Sequence, residues 1–115
     1  MKSTDRFPVE GVHCTVHGLT LPVINLSVGG FFAGTDTPPP LGELLDLELA
    51  LKDRPPFRVV GKVIWVNDAA GPRAPDLPRG FGFRISRIAM ADKLSIVDYL
   101  KRAAPAVPTL RAPTR

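Results

Sequence analysis

The sequence predicts an all-β domain with one helix: a six-stranded antiparallel β-barrel followed by a C-terminal α-helix. Three observations indicate this fold class. Leucine alternates with acidic or small residues from Leu45 to Leu51, which is typical of a strand with one buried face. Most of the 13 prolines cluster between short apolar segments rather than inside them. After residue 88 the apolar residues recur at helical spacing. A closed barrel suits many short strands because closure removes exposed sheet edges.

The first three strands are short and closely linked. Residues 9–16 alternate as a first strand, and a tight His17-Gly18 connection leads to a second strand over residues 19–26. Pro22 inside the second strand indicates an edge position or a bulge. A third short strand is expected over residues 30–33.

The later elements carry most of the predicted core. Strands are expected over residues 43–52, 57–66 and 80–85, and a helix over residues 89–103. The side chains expected to face the core from the last two strands are Phe57, Val59, Val63, Trp65, Phe81, Phe83 and Ile85. The apolar stripe of the helix is expected to consist of Met90, Leu94, Val97 and Leu100, widened by Ile96 and Tyr99.

Length and composition indicate one domain. We expect an N-terminal arm over residues 1–8, the barrel and helix over residues 9–103, and a disordered tail over residues 104–115, with a flexible loop at residues 67–79. No apolar run approaches the roughly 20 residues of a membrane span, and the N-terminus lacks the apolar core of a signal peptide. One cysteine cannot form an internal disulfide, so we expect a cytoplasmic location. A net charge of +4 permits anionic partners without requiring them.

The sequence offers no catalytic constellation, and we expect neither an enzyme nor a metal site. His13 and His17 share a face of the first predicted strand but are about 13 Å apart at the usual rise per residue. Cys14 is expected to face the opposite way, as a small buried side chain. No glycine-rich phosphate loop precedes a helix, and no catalytic residues or tightly bound cofactor are assigned.

One turn stands out, in the stretch from Val23 to Gly30. An apolar run ends in Asn25, Ser27 and two glycines and then restarts as Phe31-Phe32. Asn and Ser can hydrogen-bond the local backbone, and glycine tolerates unusual dihedral angles. Such a turn directs N–H groups and short polar side chains outward, a shape that suits an anion. Most stretches of this kind are nonetheless turns without a ligand.

Together with the segments around it, this turn resembles the PilZ domain family. Asn25-Leu26-Ser27-Val28-Gly29-Gly30 fits the family's [Asp/Asn]-x-Ser-x-x-Gly motif at each specified position. Arg6-Phe7-Pro8-Val9 is similar to the Arg-Val-Pro-Val that commonly closes the family's Arg-x-x-x-Arg arm, and Gly80-Phe81-Gly82-Phe83-Arg84 is similar to its late strand. The resemblance covers roughly residues 2–102. It implies a six-stranded barrel with a terminal helix and cyclic di-GMP as the candidate ligand. The residues implied for that site are Lys2, Arg6, Asn25, Ser27 and Gly30.

The arm departs from the family pattern. If Arg6 is the second arginine of the motif, the first position is Lys2; if Arg6 is the first, the second position is Glu10. The Phe-Pro-Val that follows Arg6 favours Lys2. Lysine keeps the charge but lacks the planar fork that reads a guanine edge or a phosphate with two hydrogen bonds.

Three functions remain to be weighed. The main hypothesis is a PilZ-like signalling adaptor that regulates motility, pilus or envelope machinery through a protein partner, with cyclic di-GMP binding weakened or lost. The alternative is a working cyclic di-GMP receptor. The third, a small basic barrel that binds nucleic acid, is disfavoured because the predicted aromatics face the core. A candidate partner surface consists of the outward cations Arg58, Lys62, Arg84 and Arg87.

Overall fold

Seven strands and one helix are present in the computed structural model, which describes residues 7–67 and 77–103. The strands are β1 (Phe7–Pro8), β2 (His13–Val16), β3 (Leu19–Ser27), β4 (Gly30–Gly34), β5 (Leu44–Ala50), β6 (Phe57–Asn67) and β7 (Gly80–Ile88), and the helix is α1 (Met90–Ala103). The predicted arm residues Lys2 and Arg6, most of the predicted loop at 67–79 and the predicted tail lie outside the described residues.

Six of the strands close into an antiparallel barrel. The order β3-β2-β5-β6-β7-β4 returns to β3, because β4 also pairs with β3. The two-residue β1 pairs with the second half of β3, beside the part of β3 that pairs with β2. The predicted fold class, a six-stranded antiparallel barrel with a C-terminal helix, is confirmed.

The first predicted strand is interrupted. Residues 9–16 do not form one strand, because the chain breaks its pairing between β1 and β2, where Gly11 takes a positive φ of 76°. Two backbone hydrogen bonds hold this segment against β3, from Val9 N–H to Ile24 O and from Val23 N–H to Val12 O. The alternation alone could not reveal a break that depends on one left-handed glycine.

The barrel core is built as the alternation predicts. Four leucines of one face, Leu45, Leu47, Leu49 and Leu51, are at most 4% exposed. The rings of Phe31 and Phe83 lie at the centre, fully buried, with centroids 5.1 Å apart. This continuous apolar core explains why short strands with little individual stability hold together.

One predicted core residue lies elsewhere. Trp65 is on the outer face of the barrel, because a β-bulge shifts the register of β6 against β7 between Val63 and Trp65. Val63 is fully buried, whereas Ile64 is 38% exposed. Val66 then packs against the core in place of Trp65. An extra residue in a strand reverses the faces beyond it, which a strict period of two does not anticipate.

The helix buries a different stripe from the predicted one. Ile96 and Leu100 are buried and Tyr99 packs against the core, but Met90 and Leu94 are 67% and 57% exposed. Hydrogen bonds from the helix to the barrel determine which face of the helix is buried, and the spacing of the apolar residues does not reveal them. The Tyr99 hydroxyl donates to Glu10 O.

Arg54, in the turn between β5 and β6, anchors the helix. Its guanidinium donates to Ser95 O at 3.0 Å and to Asp98 Oδ2 at 2.6 Å, and Arg102 also pairs with Asp98 at 3.2 Å. The hydrogen bond from Arg54, supported by Arg102, lowers the pKa of Asp98 below its ordinary value. A carboxylate with a lowered pKa in the folded state stabilises the fold above its unfolded pKa of about 4, and that contribution is lost as the pH falls through the folded value.

Replacing Asp98 should therefore change the acid sensitivity of the fold. Asp98→Asn is expected to lower the free energy of unfolding at pH 7 and to flatten its decline below about pH 4, because neither arginine then loses a charged partner. Urea unfolding at a series of pH values measures both effects. The matched control is Asp46→Asn, which removes a more exposed ion pair with Arg58 on the barrel wall. An Asp98→Asn profile parallel to that of the wild type would contradict the assigned role.

Cys14 is fully buried, and burial raises the pKa of its thiol to about 12, which agrees with an unreactive structural side chain. No helix in the described part of the chain has the length and apolar character needed to cross a membrane.

Candidate ligand site at the Asn25–Gly30 turn

The singled-out stretch forms a two-residue hairpin turn on the barrel wall. β3 ends at Ser27 and β4 begins at Gly30, and these two residues pair directly, with Val28 and Gly29 as the only connection. The predicted course of the chain, a strand that stops, turns sharply and leaves again, is therefore correct.

The hydroxyl of Ser27 shapes the turn. It donates a hydrogen bond to Gly30 O at 3.1 Å and accepts one from Gly29 N–H at 3.2 Å. Ser27 is 5% exposed, so the side chain stabilises the turn from within and does not extend into solvent. A serine at this position sets the backbone shape that a ligand would meet.

Gly30 is required by a close backbone contact. A Cβ atom at this position would lie 2.2 Å from Phe83 O of the neighbouring β7, which no real side chain tolerates. Gly29, one residue earlier, has open space around its Cβ position. The motif glycine therefore serves the packing of β4 on β7.

Asn25 carries an unsatisfied acceptor. Its Oδ1 atom is buried and has no hydrogen-bond partner among residues 7–67 and 77–103. Buried polar atoms are nearly always paired, so an orphan acceptor calls for an explanation. A ligand that donates an N–H to this oxygen would provide one.

An aromatic pair lies beside Asn25 on the outer face. Opposed residues on neighbouring strands share a face, and the register places Asn25, Phe32, Gly82 and Trp65 in one row across β3, β4, β7 and β6. The rings of Phe32 and Trp65 stack with centroids 5.2 Å apart. Gly82 permits this, because a Cβ there would meet Trp65 Nε1 at 2.1 Å.

A row of cations begins next to the turn. Gly30 pairs with Arg84, and Arg84 pairs with Lys62, so both cations lie on the outer face beside the turn. They are exposed, and no ion pair involves either of them within the described residues. Arg58, another cation of the predicted partner surface, differs from these two because it forms an ion pair with Asp46 at 3.2 Å.

The outer face next to the turn combines group types that contact ring edges and phosphates. They are the buried, unpaired amide oxygen of Asn25, an aromatic pair with one partly exposed ring at Trp65, and the exposed guanidinium and ammonium groups of Arg84 and Lys62. The described residues contain no cluster of three or more His, Cys, Asp or Glu side chains that could hold a metal ion. The positions of Lys2 and Arg6 relative to the turn lie outside the described residues.

Comparison with known families decides the classification. The profile of the PilZ domain family matches residues 6–102, which is most of the chain. The chain belongs to the PilZ domain family. The resemblance stated from the turn, the arm and the late strand is thereby confirmed.

A solved structure agrees with this assignment. The PilZ chain is similar to YcgR from Escherichia coli, whose crystal structure was determined in complex with c-di-GMP, with a TM-score of 0.68 and 13% sequence identity. The similarity covers 97% of this chain but 50% of the YcgR chain, so the PilZ chain spans half the length of that protein. At this identity the likeness establishes the fold. No curated protein matches the chain significantly.

Sequence reasoning missed two members of this surface. Trp65 was predicted to face the core, because the bulge that turns it outward has no signal in the alternation. Arg84 was assigned only to a partner surface, because its position opposite Gly30 depends on the pairing of β4 with β7, strands 46 residues or more apart in the chain. The sequence contains one signal for Arg84: Lys62 and Arg84 are both predicted to face outward, and Arg84 belongs to the late-strand motif.

Proposed function

We propose that this PilZ domain is a signalling module that binds cyclic di-GMP at the Asn25–Gly30 turn with reduced affinity and acts through contact with a protein partner. The family resemblance favours motility, pilus or envelope machinery as the regulated system. Location in the cytoplasm and the absence of catalytic activity are part of the same proposal. The observation that carries it is the buried, unpartnered Asn25 Oδ1 beside a preformed turn.

The chemistry of the ligand suits this turn. A guanine base carries N–H donors on one edge, and an orphan carbonyl oxygen such as Asn25 Oδ1 can accept from them. The serine and glycine of the motif hold the turn in place before a ligand arrives, because Ser27 bonds both Gly29 N–H and Gly30 O. A preformed site loses less conformational entropy on binding than one that must be ordered.

Reduced affinity follows from the arm. With Lys2 in place of the first arginine, one of the two forked cations of the family arm is replaced by a point charge. A lost bidentate contact costs about 1–3 kcal/mol, or one to two decades of affinity. Asn25 in place of aspartate also provides a neutral acceptor in place of a charged one.

Calorimetric titration of the full chain with cyclic di-GMP tests the proposal. The wild type is expected to bind with a Kd weaker than about 1 μM, which corresponds to about −8 kcal/mol. Asn25→Ala is expected to weaken binding further by about tenfold, since it removes the acceptor. Lys2→Arg is expected to tighten binding by about tenfold or more, because it restores the fork. Lys93→Arg, an exposed change on the helix, is the matched control.

Two results would refute parts of this proposal. A wild-type Kd below about 1 μM would refute the reduced affinity and favour the alternative, a full cyclic di-GMP receptor. The unneutralised Arg84 and Lys62 beside the turn are the observation that favours that alternative. An unchanged Kd for Asn25→Ala would place the site away from the turn.

A further inference from the structure

We propose that Arg84 and Lys62 form an anion-binding pair that receives a phosphodiester of the ligand bound at the Asn25–Gly30 turn. The inference rests on the proposed ligand site and adds to it a binding element outside both sequence motifs of the site. The ligand class is a dinucleotide with bridging phosphates. This pair lies on the barrel wall. It would partly replace the forked, positively charged side chain that the arm lacks at Lys2.

The pairing register places the two cations side by side. Arg84 of β7 lies directly opposite Lys62 of β6, and directly opposed residues have Cβ atoms about 4.5–5.5 Å apart. On its other side Arg84 lies directly opposite Gly30 of the turn. Neighbouring strands are about 4.8 Å apart, so the Cα of Arg84 is one strand from Gly30 and that of Lys62 is two strands away.

Gly30 places no side chain between Arg84 and the turn. It has no side chain, and contact with Phe83 O prevents it from having one. The long Arg84 side chain can therefore extend over Gly30 toward Ser27 without meeting a neighbour in the same row. A planar guanidinium matches two phosphate oxygens with parallel hydrogen bonds, which lysine cannot do alone.

The charge pattern of the wall indicates a function for the pair. Like charges directly opposite each other on a sheet destabilise it, yet no carboxylate within the described residues pairs with Lys62 or Arg84. Two outward-facing rows further along β6, beyond the row of Val60, the chain neutralises Arg58 with Asp46 at 3.2 Å. Two uncompensated cations side by side favour the uptake of an anion.

Substitution of the two cations tests the pair. In calorimetric titration of the full chain with cyclic di-GMP, Arg84→Gln is expected to raise the Kd by about tenfold or more and Lys62→Gln by a smaller factor. The matched control, Arg58→Gln, is expected to change the Kd by less than about twofold, because that cation is already neutralised. Thermal unfolding of each variant verifies that the fold is retained.

A charge reversal separates a binding role from a structural one. Lys62→Glu places opposite charges across the same strand pair, so the Tm is expected to rise by roughly 1–5 °C. The Kd for cyclic di-GMP is expected to rise by about tenfold or more in the same variant, since the anion now meets a carboxylate. A gain in stability together with a loss of binding supports the proposal, and an unchanged Kd overturns it.

The outcomes also distinguish this inference from the function on which it rests. If Asn25→Ala weakens binding but Arg84→Gln does not, the turn is the site and the cationic pair is not part of it. If the wild type shows no heat at 1 mM cyclic di-GMP, both the ligand site and the pair are refuted. If Arg84→Gln weakens binding of an oligoglutamate peptide while leaving the dinucleotide unaffected, the pair binds an acidic protein segment and the proposal is wrong.

Discussion

Gly30→Ala is expected to lower the free energy of unfolding by about 3 kcal/mol and the Tm by roughly 10–20 °C. The added methyl group would lie 2.2 Å from Phe83 O, a backbone atom that cannot rotate away. Relief requires separation of β4 from β7, and that movement weakens five paired positions from Gly30 to Gly34. The Asn25–Gly30 turn would move with them, so ligand binding should be lost as well.

The adjacent glycine provides the control. Gly29→Ala meets nothing within 4 Å, and its φ is not in the left-handed region. It should leave the Tm within about 3 °C of the wild type, with a small gain from the lower entropy of the unfolded chain. Chemical and thermal unfolding of the two variants measure the difference. Equal effects of the two changes would show that the contact between Gly30 and β7 does not exist.

Phe83→Ala should destabilise the barrel by about 3–5 kcal/mol, the usual cost of removing a buried aromatic ring. The ring is fully buried, packs on Phe31 with the ring planes tilted by 33°, and lies against Gly61, where it leaves no room for a Cβ. Its loss therefore opens a cavity bordered by β4, β6 and β7, which the rigid sheet cannot close. That loss is a large fraction of the roughly 5–15 kcal/mol that stabilises an ordinary domain.

Two further variants make that test specific. Leu44→Ala, at a residue 72% exposed, should change the free energy of unfolding by less than about 0.5 kcal/mol. Phe83→Leu keeps most of the apolar volume and should lose about half as much stability as Phe83→Ala. If Phe83→Ala were as stable as Leu44→Ala, the central ring pair of Phe31 and Phe83 would not be the core of the barrel.

Local patterns in the sequence were sufficient for the fold. The leucine alternation from Leu45 to Leu51 located β5 and its buried face, because a period of two translates directly into the two sides of a sheet. The Asn25–Gly30 stretch located the β3–β4 hairpin, because glycine and serine act on the backbone within a few residues.

Features set by contacts between distant segments were not predictable in the same way. The outward position of Trp65 results from a bulge in the pairing of β6 with β7. The buried stripe of α1 is set by Arg54 and Tyr99, which bond Ser95, Asp98 and Glu10 across the fold. The position of Arg84 next to the turn exists only in the register of β4 and β7. Each of these features depends on contacts between segments far apart in the sequence. The spacing of apolar residues carries no information about such contacts.

Amide chemical shifts under titration with cyclic di-GMP test most directly the central claim that the turn is the ligand site. Weak binding is no obstacle to this measurement. The largest changes are expected at residues 25–30, at Arg84, and at the indole N–H of Trp65, the single tryptophan of the chain. A competing location is the cavity of about 390 Å³ lined by Lys52, Asp53, Arg54, Tyr99 and Arg102 near the helix. Shifts confined to that cavity, with none at the turn, would contradict the account.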